Sequence, residues 1–356
     1  MDLLVGDPGR HAGRRDGRHG ASPGVRPRLR SRGAARLEAG LAWGLAVAAA
    51  LAVAGCSGGA RRGARGDRAG TPITVKGSDT MVILAQRWAE GFMRVEPSAT
   101  VQVSGGGSGT GIAALLGGTT HIATASRPMT DDERARLRAR HGVEPTEIPV
   151  ALDAVAVYVH RDNPVASLTT EQLRAIFRGR VRSWREVGGP DRPIVLYSRE
   201  NNSGTYAFFK EHVLEGLDFA VEAQTLPGTA AVINAVGHDP CGVGYGGIGF
   251  GRRVRVVPIA DRGGPAVAPS LDAARRGAYP LARRLFMYTA GAPEGTVGAF
   301  VAWVRSPPGQ ALVEAAGFYP MSAEADSPSM DTRAPEPGAA TRDAAGAHAS
   351  TLRASP

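Results

Sequence analysis

Lysine, cysteine and long apolar runs are scarce in this chain of 356 residues, and each scarcity argues against a class of function. Lys76 and Lys210 are the only lysines, and no Gly-x-x-x-x-Gly-Lys-Ser/Thr occurs, which argues against a P-loop nucleotide hydrolase. The two cysteines, Cys56 and Cys241, are too few for a disulfide framework. Cys241 reads as a lone, small, buried thiol. No His-x-x-x-His, Asp-x-Asp pair or Cys/His cluster appears, so no catalytic metal is expected. No Gly-x-Ser-x-Gly elbow stands between a strand and a helix, so a serine hydrolase lacks its usual signature. The apolar run Leu41–Ala54 has 14 residues, too short to cross a bilayer comfortably.

Basic charge is abundant but badly placed for nucleic acid. The formal net charge is +9, yet residues 1–55 hold nine arginines against Asp2, Asp7, Asp16 and Glu38. Arg61, Arg62, Arg65 and Arg68 follow in a Gly/Arg-rich stretch. The remainder is close to neutral, and nucleic-acid binding needs a clustered basic face.

Residues 26–56 read as an export signal. Arg26, Arg28, Arg30, Arg32 and Arg36 precede the apolar run, and Val53-Ala54-Gly55-Cys56 resembles the bacterial lipobox, which makes Cys56 the lipidated first residue of the mature protein. Residues 1–25 exceed what a signal needs, so Val25 is a candidate start. We therefore expect a leader over 1–55, a lipidated, disordered tether over 56–71, and a disordered Ala/Pro/Ser-rich tail over 323–356. The protein would be anchored to a membrane without spanning it.

Between these ends the chain repeats one unit: a short β-type run, a loop of glycine and small hydroxyl residues, then apolar residues at helical spacing. Ile73-Thr74-Val75 leads through Gly77-Ser78-Asp79-Thr80 to Met81, Leu84, Trp88 and Phe92. There the Ser-Asp-Thr cluster reads as a helix N-cap. Val101–Val103 leads through Ser104–Gly111 to Ile112–Leu116, and Ile194–Tyr197 leads through Ser198–Thr205 to Tyr206, Phe209 and Val213. Two β-type runs, Glu147–Val150 and Val155–His160, are separated by Asp153. Such alternation predicts an α/β body with a largely parallel sheet.

Three helix starts thus carry like residues: Ser78 and Thr80, Ser108 and Thr110, Ser203 and Thr205, with Arg199 as the one strong cation among them. Helix N-termini present free N–H groups and a favourable dipole to an anion. Arginine adds a planar fork matched to tetrahedral oxyanions. Many neutral donors around one guanidinium describe reversible binding of a compact anion, with no bond made, no cofactor and no metal.

At these residues the chain resembles the PstS family, the phosphate-binding lipoproteins of bacterial phosphate ABC importers. The resemblance runs from about Ile73 to Met321 and rests on Lys76-Gly-Ser-Asp-Thr-Met81, Gly105-Gly-Gly-Ser-Gly-Thr-Gly111, Ala125-Ser-Arg-Pro128, Leu173-Arg-Ala-Ile-Phe177, Ser198-Arg-Glu…Ser203-Gly-Thr205 and Tyr279-Pro-Leu281. It implies a type II periplasmic-binding-protein fold, two α/β lobes joined by a two-crossing hinge, with phosphate in the cleft. Lobe one would be 72–150 plus 283–322 and lobe two 151–282.

Phosphate contacts are implied for Ser78, Thr80, Met81, Ser108, Gly109, Thr110, Ser126, Arg199, Ser203, Gly204 and Thr205. The longer-chain branch has an aspartate where Ser126 stands, accepting the phosphate proton; here Asp79 or Asp153 is a possible substitute. The implied partners are inorganic phosphate and the subunits of a membrane permease, the protein itself being a monomer. A receptor for sulfate, molybdate or phosphonate, or an exported phosphoesterase or sensor on the same fold, is the alternative.

Overall fold

In the computed structural model, which describes residues 72–321, the expected alternation appears as strand, loop and helix in turn. The leader, Cys56 with its tether, and the tail 323–356 lie outside the described residues. β1 (Ile73–Gly77) buries Ile73 and Val75 on one side, the period of two that a strand imposes. α1 (Val82–Val95) turns Leu84, Ala85, Trp88, Ala89 and Phe92 inward, because residues three and four apart share a helix face. Trp88 donates its indole N–H to the Gly309 carbonyl at 2.8 Å, so the buried ring leaves no polar atom unmatched. The Ser-Asp-Thr cluster does not cap this helix as expected. Met81 occupies the N-cap and makes no side-chain cap bond, because Asp79 is engaged elsewhere, as described below.

β2 (Val101–Ser104), α2 (Ser108–Leu116) and β3 (Ile122–Ala125) repeat the unit. α3 (Asp131–His141) begins at a capping box between Thr130 and Glu133 and ends at Gly142, whose φ of 70° suits a residue without a Cβ. β4 (Pro145–Val159) is one continuous strand where the sequence suggested two runs parted by Asp153. Asp153 remains inside it because Arg283 of β11 (Ala282–Ala290) stands directly opposite in an antiparallel ladder. Between them come β5 (Leu168–Thr169), α4 (Thr170–Phe177), β6 (Val195–Arg199), α5 (Gly204–His212), β7 (Gln224–Leu226), α6 (Gly228–His238), β8 (Gly242–Gly247), β9 (Arg255–Val257), β10 (Ile259–Ala260) and α7 (Leu271–Arg275). α8 (Gly295–Arg305) and α9 (Pro307–Ala315) follow β11.

The main sheet runs in the order β2-β1-β3-β11-β4-β8-β6-β7, with β9 added on β4. It is mixed, which corrects the largely parallel expectation. β1 pairs in parallel with β2 and β3, and β6 with β7 and β8. β11 is antiparallel to β3 and β4, and β4 to β8 and β9. Parallel βαβ units on either side are thus joined through two long strands of opposite direction.

Those strands connect two hydrophobic cores. One core gathers Ile73, Leu84, Trp88, Val150, Ala151, Leu285 and Phe300. The other gathers Ala154, Val155, Leu173, Trp184, Phe209, Tyr245 and Leu281. This is the two-lobed α/β architecture of a periplasmic binding protein. β4 and β11 change core where Asp153 faces Arg283.

Two consequences can be measured. α2 lies so close to β1 that a Cβ on Gly111 would stand 2.4 Å from the Lys76 carbonyl oxygen and 2.5 Å from Gly77 Cα. Gly111→Ala should therefore lower stability by about 1–3 kcal/mol, seen as a lower urea midpoint. An unchanged midpoint would mean that α2 can shift away freely. The second concerns acid. Burial raises the Glu133 carboxyl, but hydrogen bonds from Arg127 and the Thr130 N–H outweigh it and hold the group below its ordinary value. A depressed carboxyl contributes stability that is present above its unfolded value and is lost as pH falls through the folded one. Glu133→Gln should flatten the loss of stability below about pH 4.5; a profile as steep as the parent's would assign the acid sensitivity elsewhere.

Candidate functional site

Where strands end and helices begin, polar side chains from distant segments meet in the interior. Ser78, Thr80, Ser108, Ser126, Ser203, Thr205, Arg199, Asp153 and Arg283 are all buried. Thr80, from the loop after β1, places Oγ1 3.0 Å from Thr205 Oγ1 at the start of α5. Ser108, the first residue of α2, accepts the Ser126 N–H at 3.0 Å, and its Oγ lies 3.3 Å from Ser126 Oγ. Gly204 closes the group: a Cβ there would stand 2.4 Å from Ser108 Oγ and 2.7 Å from Ser126 Oγ. Four of the expected loops therefore converge on one point.

Arg199, at the end of β6, is buried and shared between two partners. Its Nη2 donates to Asp79 Oδ2 at 2.8 Å and its Nη1 to Thr229 Oγ1 at 2.8 Å. The other Asp79 oxygen accepts the Gly106 N–H at 2.7 Å, so Asp79 fastens the glycine loop to the arginine. Burial pulls the Arg199 guanidinium down from its ordinary value, and Asp79 opposes that shift. Within this group Ser78 Oγ and Arg199 Nε have no hydrogen-bond partner among the described residues. An unmatched buried donor costs about 1–3 kcal/mol, and an anion's oxygens would relieve that cost.

Arg283 is the residue of this cluster that sequence reasoning missed, a second cation where only Arg199 was expected. Its Nε and Nη2 donate to Asp153 Oδ2 at 2.9 and 2.8 Å, its Nη2 also to Thr205 Oγ1 at 3.0 Å, and its Nη1 to the Ser126 carbonyl at 3.0 Å. Burial pushes the Asp153 carboxyl up and the Arg283 guanidinium down, and each restrains the other's shift. The signal in the sequence was a single Asp and an Arg pair inside otherwise apolar strand runs, since a charge in such a run must be paired. Asn202 was also missed. Its carbonyl accepts the Gly109 N–H at 3.0 Å, and its side-chain amide donates to the Gly106 carbonyl at 3.0 Å and to Thr110 Oγ1 at 3.3 Å.

Other expected residues have these places. Ser203 caps α5 by accepting the Tyr206 N–H at 3.3 Å. Met81 buries its side chain in the first core and donates its N–H to the Ser78 carbonyl at 3.0 Å. Asp79 and Asp153 are both ion-paired, with Arg199 and Arg283 respectively. Among the described residues no group of His, Cys, Asp and Glu could hold a metal, and no helix is long and apolar enough to cross a membrane.

Comparison with known proteins finds relatives in sequence and in fold. The family model for the PBP superfamily domain matches residues 60–308. The phosphate-binding protein PstS of Pseudomonas aeruginosa is 36% identical over 266 residues, 70% of this chain and 82% of that protein. The phosphate-binding protein PstS of Staphylococcus haemolyticus is 30% identical over 220 residues, 60% of this chain and 69% of that protein. Among solved structures, a substrate-binding protein from Clostridium perfringens with bound phosphate is 26% identical with a TM-score of 0.63, over 71% of this chain and all of that one (100%). An ABC-type phosphate transport receptor from Vibrio cholerae is 28% identical with a TM-score of 0.58, over 70% of this chain and 100% of that one.

The contact at Gly204 is directly testable. Gly204→Ala forces Ser108 and Ser126 apart, a cost of about 1–3 kcal/mol. The Gly109 amide, whose acceptor Asn202 precedes Gly204, should then exchange with solvent roughly tenfold faster or more. Unchanged exchange would mean that the two loops do not depend on close approach.

Proposed function

From a chain that belongs to the PstS family of phosphate-binding proteins, within the PBP superfamily, we propose that the buried hydroxyl–arginine cluster binds inorganic phosphate and that the loaded protein delivers it to an ABC import permease. One observation carries this reading: hydroxyls at the starts of two helices meet Thr80 and Ser126, and Arg199 is tied to the adjoining glycine loop through Asp79, in a cluster whose carboxylates are already paired. Each paired Arg and Asp cancels in charge. The anion is met chiefly by dipoles and hydrogen bonds.

The hydroxyls are set up as donors. Ser108 Oγ accepts from the Ser126 N–H, Ser203 Oγ from the Tyr206 N–H and Thr205 Oγ1 from Arg283. Within the pairs Thr80–Thr205 and Ser108–Ser126 one hydroxyl hydrogen is shared between the partners and the other is left for an anion oxygen, as is that of Ser203. α5 begins at Gly204, so the N–H groups of Gly204 and Thr205 have no acceptor within the helix and add to the donor set. α2 does the same with Ser108 and Thr110, while Gly109 is committed to Asn202. Dehydrating a small dianion is tolerable when its lone pairs are matched in this way.

Discrimination against fully ionised sulfate needs an acceptor for the phosphate proton. Both oxygens of Asp79 and both of Asp153 already accept N–H groups. That favours Ser126 Oγ, whose hydroxyl both donates and accepts. No histidine belongs to the cluster, and neither carboxylate is free to take a proton from a nucleophile. The chemistry supported is therefore binding without bond making.

Lobe one comprises 72–150 with 283–322 and lobe two 151–282, closing by the hinge motion of binding proteins. The bond between Thr80 and Thr205 and those between Asn202 and the glycine loop belong to the closed state. Outside the cytoplasm, Cys56 carries the lipid that anchors the protein, a monomer, beside its permease. Titration calorimetry tests the reading. Phosphate should bind with a dissociation constant near micromolar, about −8 kcal/mol, and more tightly than sulfate. Arg199→Ala should weaken phosphate by about 2–5 kcal/mol, thirtyfold or more. Equal affinity for the two anions, or undiminished binding by the variant, would overturn the assignment.

A further inference from the structure

A second basic site lies away from the cluster. One face of α6 from Ala230 to His238, the short 3-10 turn Ile248–Arg253 and Arg161 line a groove of about 500 Å³. Its walls include Arg161, His238 and Arg253 as cationic or protonatable groups, Asn234 as an amide, and Ile233 and Phe250 as apolar surface. No aspartate or glutamate lines it.

Three features set this groove apart from an ordinary solvated patch. Arg161 and Arg253 are exposed, and neither side chain has an ion-pair or hydrogen-bond partner among the described residues, although most arginines in the body do. His238 donates Nδ1–H to the Asn234 carbonyl at 2.8 Å, which fixes the tautomer and turns Nε2 away from the helix backbone. The half-buried Phe250 and the edge of the buried Ile233 contribute apolar area beside these charges, where a bare inorganic anion would gain nothing. A cavity of about 300–1,000 Å³ with a few convergent polar groups on an apolar wall is the usual form of a small-molecule site.

We propose that this groove binds an organic anion: a carboxylate, sulfonate or phosphate ester carried on an aromatic or branched aliphatic body. The charged end lies between Arg161 and Arg253, within reach of His238, and the body lies along Ile233 and Phe250. This site is distinct from the buried cluster. The two are linked by α6, whose first turn supplies Thr229 to Arg199 and whose length from Ala230 to His238 lines the groove, the far end about 13 Å along the axis from Thr229.

The probe is anilinonaphthalene sulfonate, titrated by fluorescence into the full chain with inorganic phosphate held in excess, so that the buried cluster is not the site measured. Saturable binding at one site is expected. Arg161→Glu combined with Arg253→Glu should weaken it at least tenfold, and Asn234→Trp, which fills the groove from an exposed position, should weaken it comparably. Thermal midpoints establish that both variants fold. Absence of saturable binding, or equal affinity in the parent and both folded variants, would overturn the assignment.

Discussion

The buried pair between Asp153 and Arg283 is the contact on which the rest of the structure depends. It sits where β4 and β11 pass from one core to the other, opposite each other in an antiparallel register. Removing two charges from water costs several kcal/mol per ion, so such a pair is poor evidence for stability taken alone. Its geometry explains its presence better. The same guanidinium that neutralises Asp153 also reaches Thr205 Oγ1 and the Ser126 carbonyl. One side chain therefore ties the crossing strands to loops of the proposed anion site.

Around this pair the site is built by close approach more than by charge. Gly204 brings the start of α5 against Ser108 and Ser126, and Gly111 brings α2 onto the end of β1. A methyl group at either place meets atoms closer than contact distance. Glycine is used here for lack of volume. At Gly107, φ of 91° adds the conformational reason, and a Cβ would also stand 2.7 Å from the Asn202 carbonyl oxygen. The small hydroxyl side chains fit the remaining space, and Ser108, Ser203 and Thr205 each accept an internal N–H hydrogen bond.

Much of this was legible in the sequence because it is local. The strand, glycine-hydroxyl loop and helix recur three times within short windows, and each recurrence places a serine or threonine at a helix start. Arg199 was legible because it stands where a strand opens into such a loop. Arg283 was not, because only the register of β11 on β4 brings it beside Thr205. Asp79 illustrates the opposite failure. Its position predicts a helix cap, yet its carboxylate bridges Gly106 and Arg199, partners distant in sequence. The break expected at Asp153 was likewise a local inference, and a tertiary ion pair overrides it.

The most direct test is a crystallographic map of the phosphate-saturated protein. The account predicts tetrahedral density bounded by Thr80, Ser108 and Thr205 hydroxyls and by Arg199, with Asp79 still on Arg199 and Asp153 still on Arg283. Density at another location, or phosphate held only after either ion pair has opened, would contradict it.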